Sequence, residues 1–250
     1  MISAVVLTRN EEKSIEKCLK SVLWCDEIVV IDDYSTDNTI KIAKKWRAKV
    51  YKRSLNSDFS AQRNYGLTKA KGNWILFIDA DEVVTSKLQD EIIKKTRDLG
   101  VNGYLVRREY FFLGRKMTHG EIGQTFILRL GRKGKGKWKR EVHEEWGIKG
   151  KVDKLDSPLL HFPSKGISEF VSDVNKYSRL HAYENKKEGK RPNFLYVIFY
   201  PVGKFLMFYI LKLGFLDGVA GFILAVIMSF HSFLAWSRLW LITNRQEKHI

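Results

Sequence analysis

Short apolar runs, each followed by a cluster of polar residues, organise the first hundred positions. Ile2 to Leu7 is the first run and reads as a buried β-strand. Asn10 follows as a cap for a helix whose Ile15, Leu19 and Val22 fall on one face. Glu27 to Asp32 (EIVVID) predicts a second strand, and Ser35-Thr36-Asp37 predicts the next helix cap, with Ile40, Ala43 and Trp46 along that helix. Lys49 to Arg53 predicts a third strand. Asn73 to Asp79 (NWILFID) predicts a fourth, nearly all apolar, as a strand covered on both faces should be. Strands of this kind alternating with helices imply an α/β fold with a mostly parallel central sheet. Ligands of such sheets bind at the carboxyl ends of the strands, which directs attention to the polar residues just beyond each run.

The pattern changes after residue 100. Tyr104 to Leu113 and Thr125 to Leu130 read as antiparallel strands, and Arg132 to Arg140 (RKGKGKWKR) reads as a basic mobile loop. Residues 1–185 then form the main domain, in halves 1–100 and 101–185, and residues 186–250 form a tail. In the tail, Lys186, Lys187, Lys190 and Arg191 precede two hydrophobic stretches, Phe194 to Leu211 and Val219 to Ile242. The second is about as long as the roughly 20 apolar residues a spanning helix needs. Gly221, Ala225, Ser229 and Ser232 give it a stripe of small residues suited to close helix packing, and so to self-association through the tail. Two spanning helices would leave both basic flanks on the cytoplasmic side, whereas Pro201, Lys204, His231 and Arg238 fit helices lying in the interface equally well.

Composition narrows the partners. The 250 residues hold 44 basic and 28 acidic side chains, a net charge of +16. Such an excess suits nucleic acid, anionic lipid or phosphorylated substrates. No zinc pattern or nucleic-acid module accompanies it, and the basic flanks of the tail already account for much of it, so nucleic acid is not expected as a partner. Cys18 and Cys25 form no metal pattern and read as buried thiols in a reducing compartment. The start, MISAVVLTRNEE, has no basic region or cleavage site and reads as a strand rather than a leader, which places the main body in the cytoplasm.

Asp79-Ala80-Asp81 ends the fourth strand. Alternate strand residues share a face, so both carboxylates can serve one site. A pair of carboxylates beside a diphosphate can hold Mg²⁺ or Mn²⁺. Asp32-Asp33 ends the second strand and can accept bonds from a base or a ribose. Thr8-Arg9-Asn10-Glu11 ends the first, with Arg9 available to a phosphate. Three strand ends at one sheet edge thus offer polar groups together. Further along, His143-Glu144-Glu145 supplies candidate bases, Trp138 a ring for stacking on a sugar or a base, and His119 and His161 read as structural histidines.

The segments VVLTRNEEKSIEKCLKSV, DEIVVIDDYSTDNT and FSAQRNYGLTKAKGNWILFIDADE, in this order and spacing, resemble the N-terminal half of family 2 glycosyltransferases, which have the GT-A fold. FFLGRKMTHG, KWKREVHEEWGIKG, LLHFP and YILKLGFLDGVAGFILA resemble a narrower branch, the lipopolysaccharide-core β-glucosyltransferase-like proteins. The resemblance implies a nucleotide-sugar half over 1–100, an acceptor and catalytic half over 101–185, and membrane-associated helices in 186–250. It implies that Thr8, Asn10, Glu11 and Asp33 hold the nucleoside, that Arg63 lies near the donor, and that Asp79 and Asp81 hold ribose and metal, Asp81 being the safer ligand. It further implies inversion at the anomeric carbon, which requires a base. Many members place that base in a downstream Glu-Asp pair. This chain has Glu144 there instead, with Glu145 competing and His143 as metal ligand or orienting partner. The processive signature QxxRW is absent.

The expected activity is therefore hexose transfer, with a UDP-sugar as donor and a lipid-anchored saccharide such as a lipopolysaccharide inner core as acceptor. It is expected at the cytoplasmic face of the inner membrane, on anionic lipid. The alternatives are a polyprenyl-phosphate acceptor, or a membrane scaffold that binds nucleotide without chemistry.

Overall fold

The computed structural model describes residues 1–120, 125–140, 144–163 and 166–244. The chain divides into two compact units. The first comprises Met1–Phe111 and Gln124–Ser164, the second Phe112–Gly123 and Lys165–Ile250, so the tail groups with a short segment from the middle of the chain.

Unit one begins with β1 (Ile2–Thr8), α1 (Ile15–Lys20), β2 (Glu27–Asp32), α2 (Thr39–Lys45), β3 (Lys49–Lys52), α3 (Phe59–Lys69), β4 (Trp74–Asp79), β5 (Glu82–Val84) and α4 (Ser86–Lys95). β6 (Gly103–Phe112) follows, and after the stretch of unit two that carries β7 (Arg115–Met117) come β8 (Thr125–Arg132), β9 (Gly136–Lys139), β10 (Glu145–Ile148) and β11 (Val152–His161). The main sheet runs β3-β2-β1-β4-β8-β6-β11-β5. Its first four strands are parallel. β8 is antiparallel to both β4 and β6, so the sheet is mixed beyond β4. Side chains of β1, β2 and β4 alternate between two cores. Ala4, Val6, Val30, Leu76 and Ile78 meet α1 and α4 on one face, and Val5, Val29, Ile31, Ile75 and Phe77 form the other core. This two-sided burial explains why the strands read as unbroken apolar runs.

Local chemistry departs from the sequence expectation at several points. Asn10 has φ +53° and lies well before α1, which starts at Ile15; its Oδ1 instead accepts from the Thr36 amide at 2.8 Å, joining the loops after β1 and β2. Asp37 does bond the start of α2, accepting from the Thr39 amide at 3.0 Å. α3 was not foreseen. Asp58 caps it by accepting from the Ala61 amide, and Gly66 lets it lie against the sheet, since a Cβ there would fall 2.6 Å from Val5 Cγ1. The basic stretch 132–140 is not a loop throughout. β9 pairs antiparallel with β10, placing Trp138 opposite Trp146. Their rings stack at 5.2 Å, and both meet Phe77 edge-on. Trp138 is buried there, so it belongs to the second core and is not displayed for a sugar or a base.

Unit two contains β7, α5 (Ile167–Lys187), α6 (Phe194–Phe205), a π-helical turn (Leu206–Leu211), a 3₁₀ turn (Gly214–Asp217) and α7 (Gly218–Asn244). α6 and α7 form an antiparallel pair. Tyr200 meets Trp236 at 4.5 Å, Ser229 Oγ donates to the Pro201 carbonyl, and Phe205 meets Phe222. The small-residue stripe packs inside the unit: a Cβ on Gly221 would strike the Gly214 carbonyl, and Ala225 and Ser232 are buried. Asp217 accepts from the amides of Thr118 and His119 and from the Thr118 hydroxyl, pinning that segment to the 3₁₀ turn. Two helical stretches, Phe194–Leu211 and Gly214–Asn244, are long and apolar enough to cross a membrane.

Candidate active site

Three parallel strands end side by side at one edge of unit one. β2 delivers Asp33, whose Oδ1 accepts from the Leu55 amide at 2.9 Å and whose Oδ2 accepts from Arg9 Nη1 at 2.8 Å. β1 delivers Thr8, whose buried hydroxyl has no hydrogen-bond partner among the described residues. A buried donor left without a partner calls for an explanation, and a ligand is one. Asn10 and Glu11 are turned to neighbours, Glu11 Oε2 accepting from Ser14 Oγ at 2.5 Å. Of the residues expected to hold the nucleoside, Thr8 and Asp33 therefore come together, joined by Arg9, expected at a phosphate, while Asn10 and Glu11 brace the loops around them.

β4 delivers Asp79 into a line of six alternating charges. Glu144 Oε1 accepts from Arg63 Nε at 2.8 Å, and Asp79 Oδ1 accepts from Arg63 Nη2 at 3.1 Å. Asp79 Oδ2 accepts from Arg129 Nη2 at 2.5 Å, and Arg129 reaches Glu82 at 3.3 Å. Glu82, fully buried, completes the line in an ion pair with Arg108 at 2.8 Å and accepts from the Asp79 amide. Burial favours the neutral Asp79 acid, but Arg129, then Arg63 and Arg108, outweigh it and hold its carboxyl well below the usual carboxylate range. Burial likewise opposes the charge on Arg129, which Asp79, Glu82 and Glu144 restore. Arg63 also lies under the Trp138 ring, 4.8 Å from its centroid.

Asp81, two residues on, lies outside this line. Its Oδ2 is 2.9 Å from His161 Nε2, because β5 pairs with β11 and sets His161 opposite Glu82. Tyr110 packs edge-on against the imidazole at 4.7 Å, and burial pushes its phenol up to about 12. Strand pairing thus brings His161, expected as a structural histidine within the LLHFP segment, beside Asp81 at the candidate site. Arg129, Arg108 and Glu82 are further site residues missed by reading the sequence.

Both Asp79 oxygens rest on arginines, which leaves Asp81 and His161 as the adjacent oxygen and nitrogen donors. That pair fits a divalent cation of the Mn²⁺ or Mg²⁺ kind if substrate phosphates complete the shell. No cluster of three metal-ligating side chains occurs among the described residues. His143 lies outside the described residues. Glu144 is 18% exposed and faces Arg63, whereas Glu145 is 73% exposed and pairs with Arg140 at 3.4 Å. His119 stays in unit two, its Nδ1 3.2 Å from Asp217.

The line of charges should be costly to break. Removing one partner of a buried ion pair destabilises by about 3–5 kcal/mol. In Arg129→Met, Arg63 still serves Asp79 and Arg108 still serves Glu82, so the low end, about 3 kcal/mol, is expected. For a unit of this size that lowers the melting temperature by roughly 6–12 °C. Because the folded value of Asp79 lies below its unfolded value of about 3.9, its pairing stabilises fully above roughly pH 5 and is lost as pH falls toward the lowered value. The variant should accordingly lose stability less steeply than the parent below that point. A melting temperature within about 2 °C of the parent at pH 7 would show that the pairing is neutral on balance.

The chain matches the model of "Glycosyl transferase family 2" over residues 3–149. It is 30% identical to the lipopolysaccharide core biosynthesis glycosyltransferase LpsC of Rhizobium meliloti, covering 96% of this chain and 92% of the relative. It is 28% identical to an uncharacterized glycosyltransferase of Rickettsia bellii, over 95% of this chain and 85% of that one. Among solved structures, S. aureus TarS 1-349 in complex with UDP-GlcNAc aligns with a TM-score of 0.52 at 17% identity, covering 98% of this chain and 92% of that one. The curled mixed sheet is that of the GT-A fold.

Proposed function

This chain belongs to glycosyltransferase family 2, and on that premise we propose that it transfers a hexose from a UDP-sugar, with inversion, to a lipid-anchored saccharide of the lipopolysaccharide-core class. The observation that carries the proposal is the sharing of work between the two carboxylates that end β4. Asp79 is neutralised by Arg63 and Arg129, while Asp81 stands with His161. In this reading Asp33, Arg9 and Thr8 receive the nucleoside, and Arg63 braces the donor side of the site. Asp81 and His161 would hold a divalent cation, which when bound neutralises charge on the departing nucleoside diphosphate. Glu144 accepts the proton of the acceptor hydroxyl as that oxygen attacks the anomeric carbon. Its Oε1 is fixed by Arg63, which leaves Oε2 for the proton.

The acceptor class follows LpsC, whose name places it in lipopolysaccharide core biosynthesis. The apolar helices of unit two and the basic residues before them support attachment to an anionic membrane, at its cytoplasmic face. TarS, of like fold, was crystallised with UDP-GlcNAc, and a UDP-hexose is the donor proposed here.

The test is a donor screen. Purified protein in detergent is offered UDP-, GDP- and ADP-sugars with Mn²⁺ or Mg²⁺, with and without membrane lipid extract. The expected result is nucleoside diphosphate release from a UDP-sugar, stimulated by the extract and stopped by chelator. No release from any donor, with extract present, would favour a nucleotide-binding scaffold. Label appearing in polyprenyl phosphate rather than in a lipid-linked saccharide would replace the acceptor.

A further inference from the structure

α7 has the length and composition to cross a membrane, yet its neighbours within unit two do not suit that placement. α5 runs antiparallel beside the second half of α7. Arg238 donates to the Asn175 carbonyl and to Ser178 Oγ, and the rings of His181 and His231 stack at 5.6 Å. The same stretch of α5 carries Lys176 and Arg179 on its exposed side. The 27 residues of α7 would be about 40 Å long against a hydrocarbon core of about 30 Å. If α7 stood upright, the part lined by α5 would lie within that core, and Lys176 and Arg179 would face acyl chains. At its other end α7 starts beside buried Asp217, and a Cβ on Gly218 would lie 3.0 Å from an Arg115 nitrogen.

What remains for lipid is one side of the helical pair. Phe194, Ile198 and Val202 recur at intervals of four along α6, and Phe222, Val226 and Phe230 line the outward side of α7; all six are exposed. The opposite side of α7, with Leu224, Ala225, Ala235 and Leu239, is buried. Lys204 and Lys212 both place their ammonium groups over the Phe208 ring, at 4.6 and 5.0 Å, and Lys186, Lys187, Lys190 and Arg191 precede α6. An apolar face edged by cations is the design of a helix lying in the interface of an anionic bilayer.

We propose that unit two is monotopic: α6 and α7 lie along one leaflet with this face among the acyl chains, α5 stays in water, and neither helix crosses. The proposal rests on the membrane attachment put forward above but not on the sugar chemistry. It predicts that the turn between α6 and α7 stays on the same side of the membrane as unit one.

The test uses the full chain in sealed inverted vesicles, cytoplasmic face outward, and a membrane-impermeant maleimide. Lys44→Cys reports unit one and Lys212→Cys reports the turn; Cys18 and Cys25 are buried, so the parent is the blank. Equal labelling of both variants in intact vesicles is the expected result. Labelling of Lys44→Cys in intact vesicles, with Lys212→Cys reached only after detergent opens them, would overturn the proposal and indicate a spanning hairpin. A chain that fails to sediment with the vesicles would overturn it together with the attachment reading. Activity is not read, so a wrong donor or acceptor leaves the outcome unaffected.

Discussion

Asp81→Ala is expected to lower release of nucleoside diphosphate by about 10³-fold, since a bound cation supplies several kcal/mol and each 1.4 kcal/mol is tenfold. The residual rate should no longer respond to Mn²⁺ or chelator. The fold should survive, because among the described residues the side chain bonds only His161, while the backbone bond from the Phe162 amide to the Asp81 carbonyl is kept. Unchanged melting with lost turnover separates this variant from Arg129→Met, which should lose stability. Asp81→Ala with undiminished, chelator-sensitive turnover would show that the cation is held elsewhere.

Glu144→Gln is expected to lower kcat by about 10²–10⁴-fold, the range of a lost general base. The amide oxygen can still accept from Arg63 Nε, so the position of Arg63 against Asp79 should persist and the donor KM should stay within about threefold. Glu145→Gln should change kcat by less than about threefold, because that side chain is turned outward. Loss confined to Glu145→Gln would reverse the assignment. Loss in both KM and kcat for Glu144→Gln would instead mark it as a prop for Arg63. Transfer must be assayed with the acceptor present, since hydrolysis of donor by water does not report the same proton.

The parts of the fold that were legible in the sequence are those whose burial is two-sided. β1, β2 and β4 show as apolar runs, and with them came the strand ends that carry Asp33, Asp79 and Asp81. α3 was not legible because its buried residues include Gln62, Arg63 and Gly66, not an apolar stripe, and its packing depends on the missing Cβ of Gly66. Its Asp58 cap was the only local signal. Trp138 was misread because Lys137 and Lys139 suggested a basic loop, although such alternation is what a strand with one dry face produces. His161 lies 80 residues from its partner Asp81, and only the register of β5 on β11 relates them. Arg108 and Arg129 sit on β6 and β8 and satisfy carboxylates that belong to β4 and β5, a matching that no spacing rule expresses.

Unit two draws on two separated parts of the chain, and Asp217 ties them together by accepting from Thr118 and His119. The hydrophobic tail is therefore not a detachable module. A version shortened after α5 to gain solubility would keep residues 112–120 but remove the carboxylate that orders them, leaving the Thr118 and His119 amides and the Met117 side chain without their setting. A soluble derivative would need that segment redesigned along with the deletion. In evolution, too, the helical tail cannot be exchanged by simple fusion at the C-terminus, and the two pieces must change together.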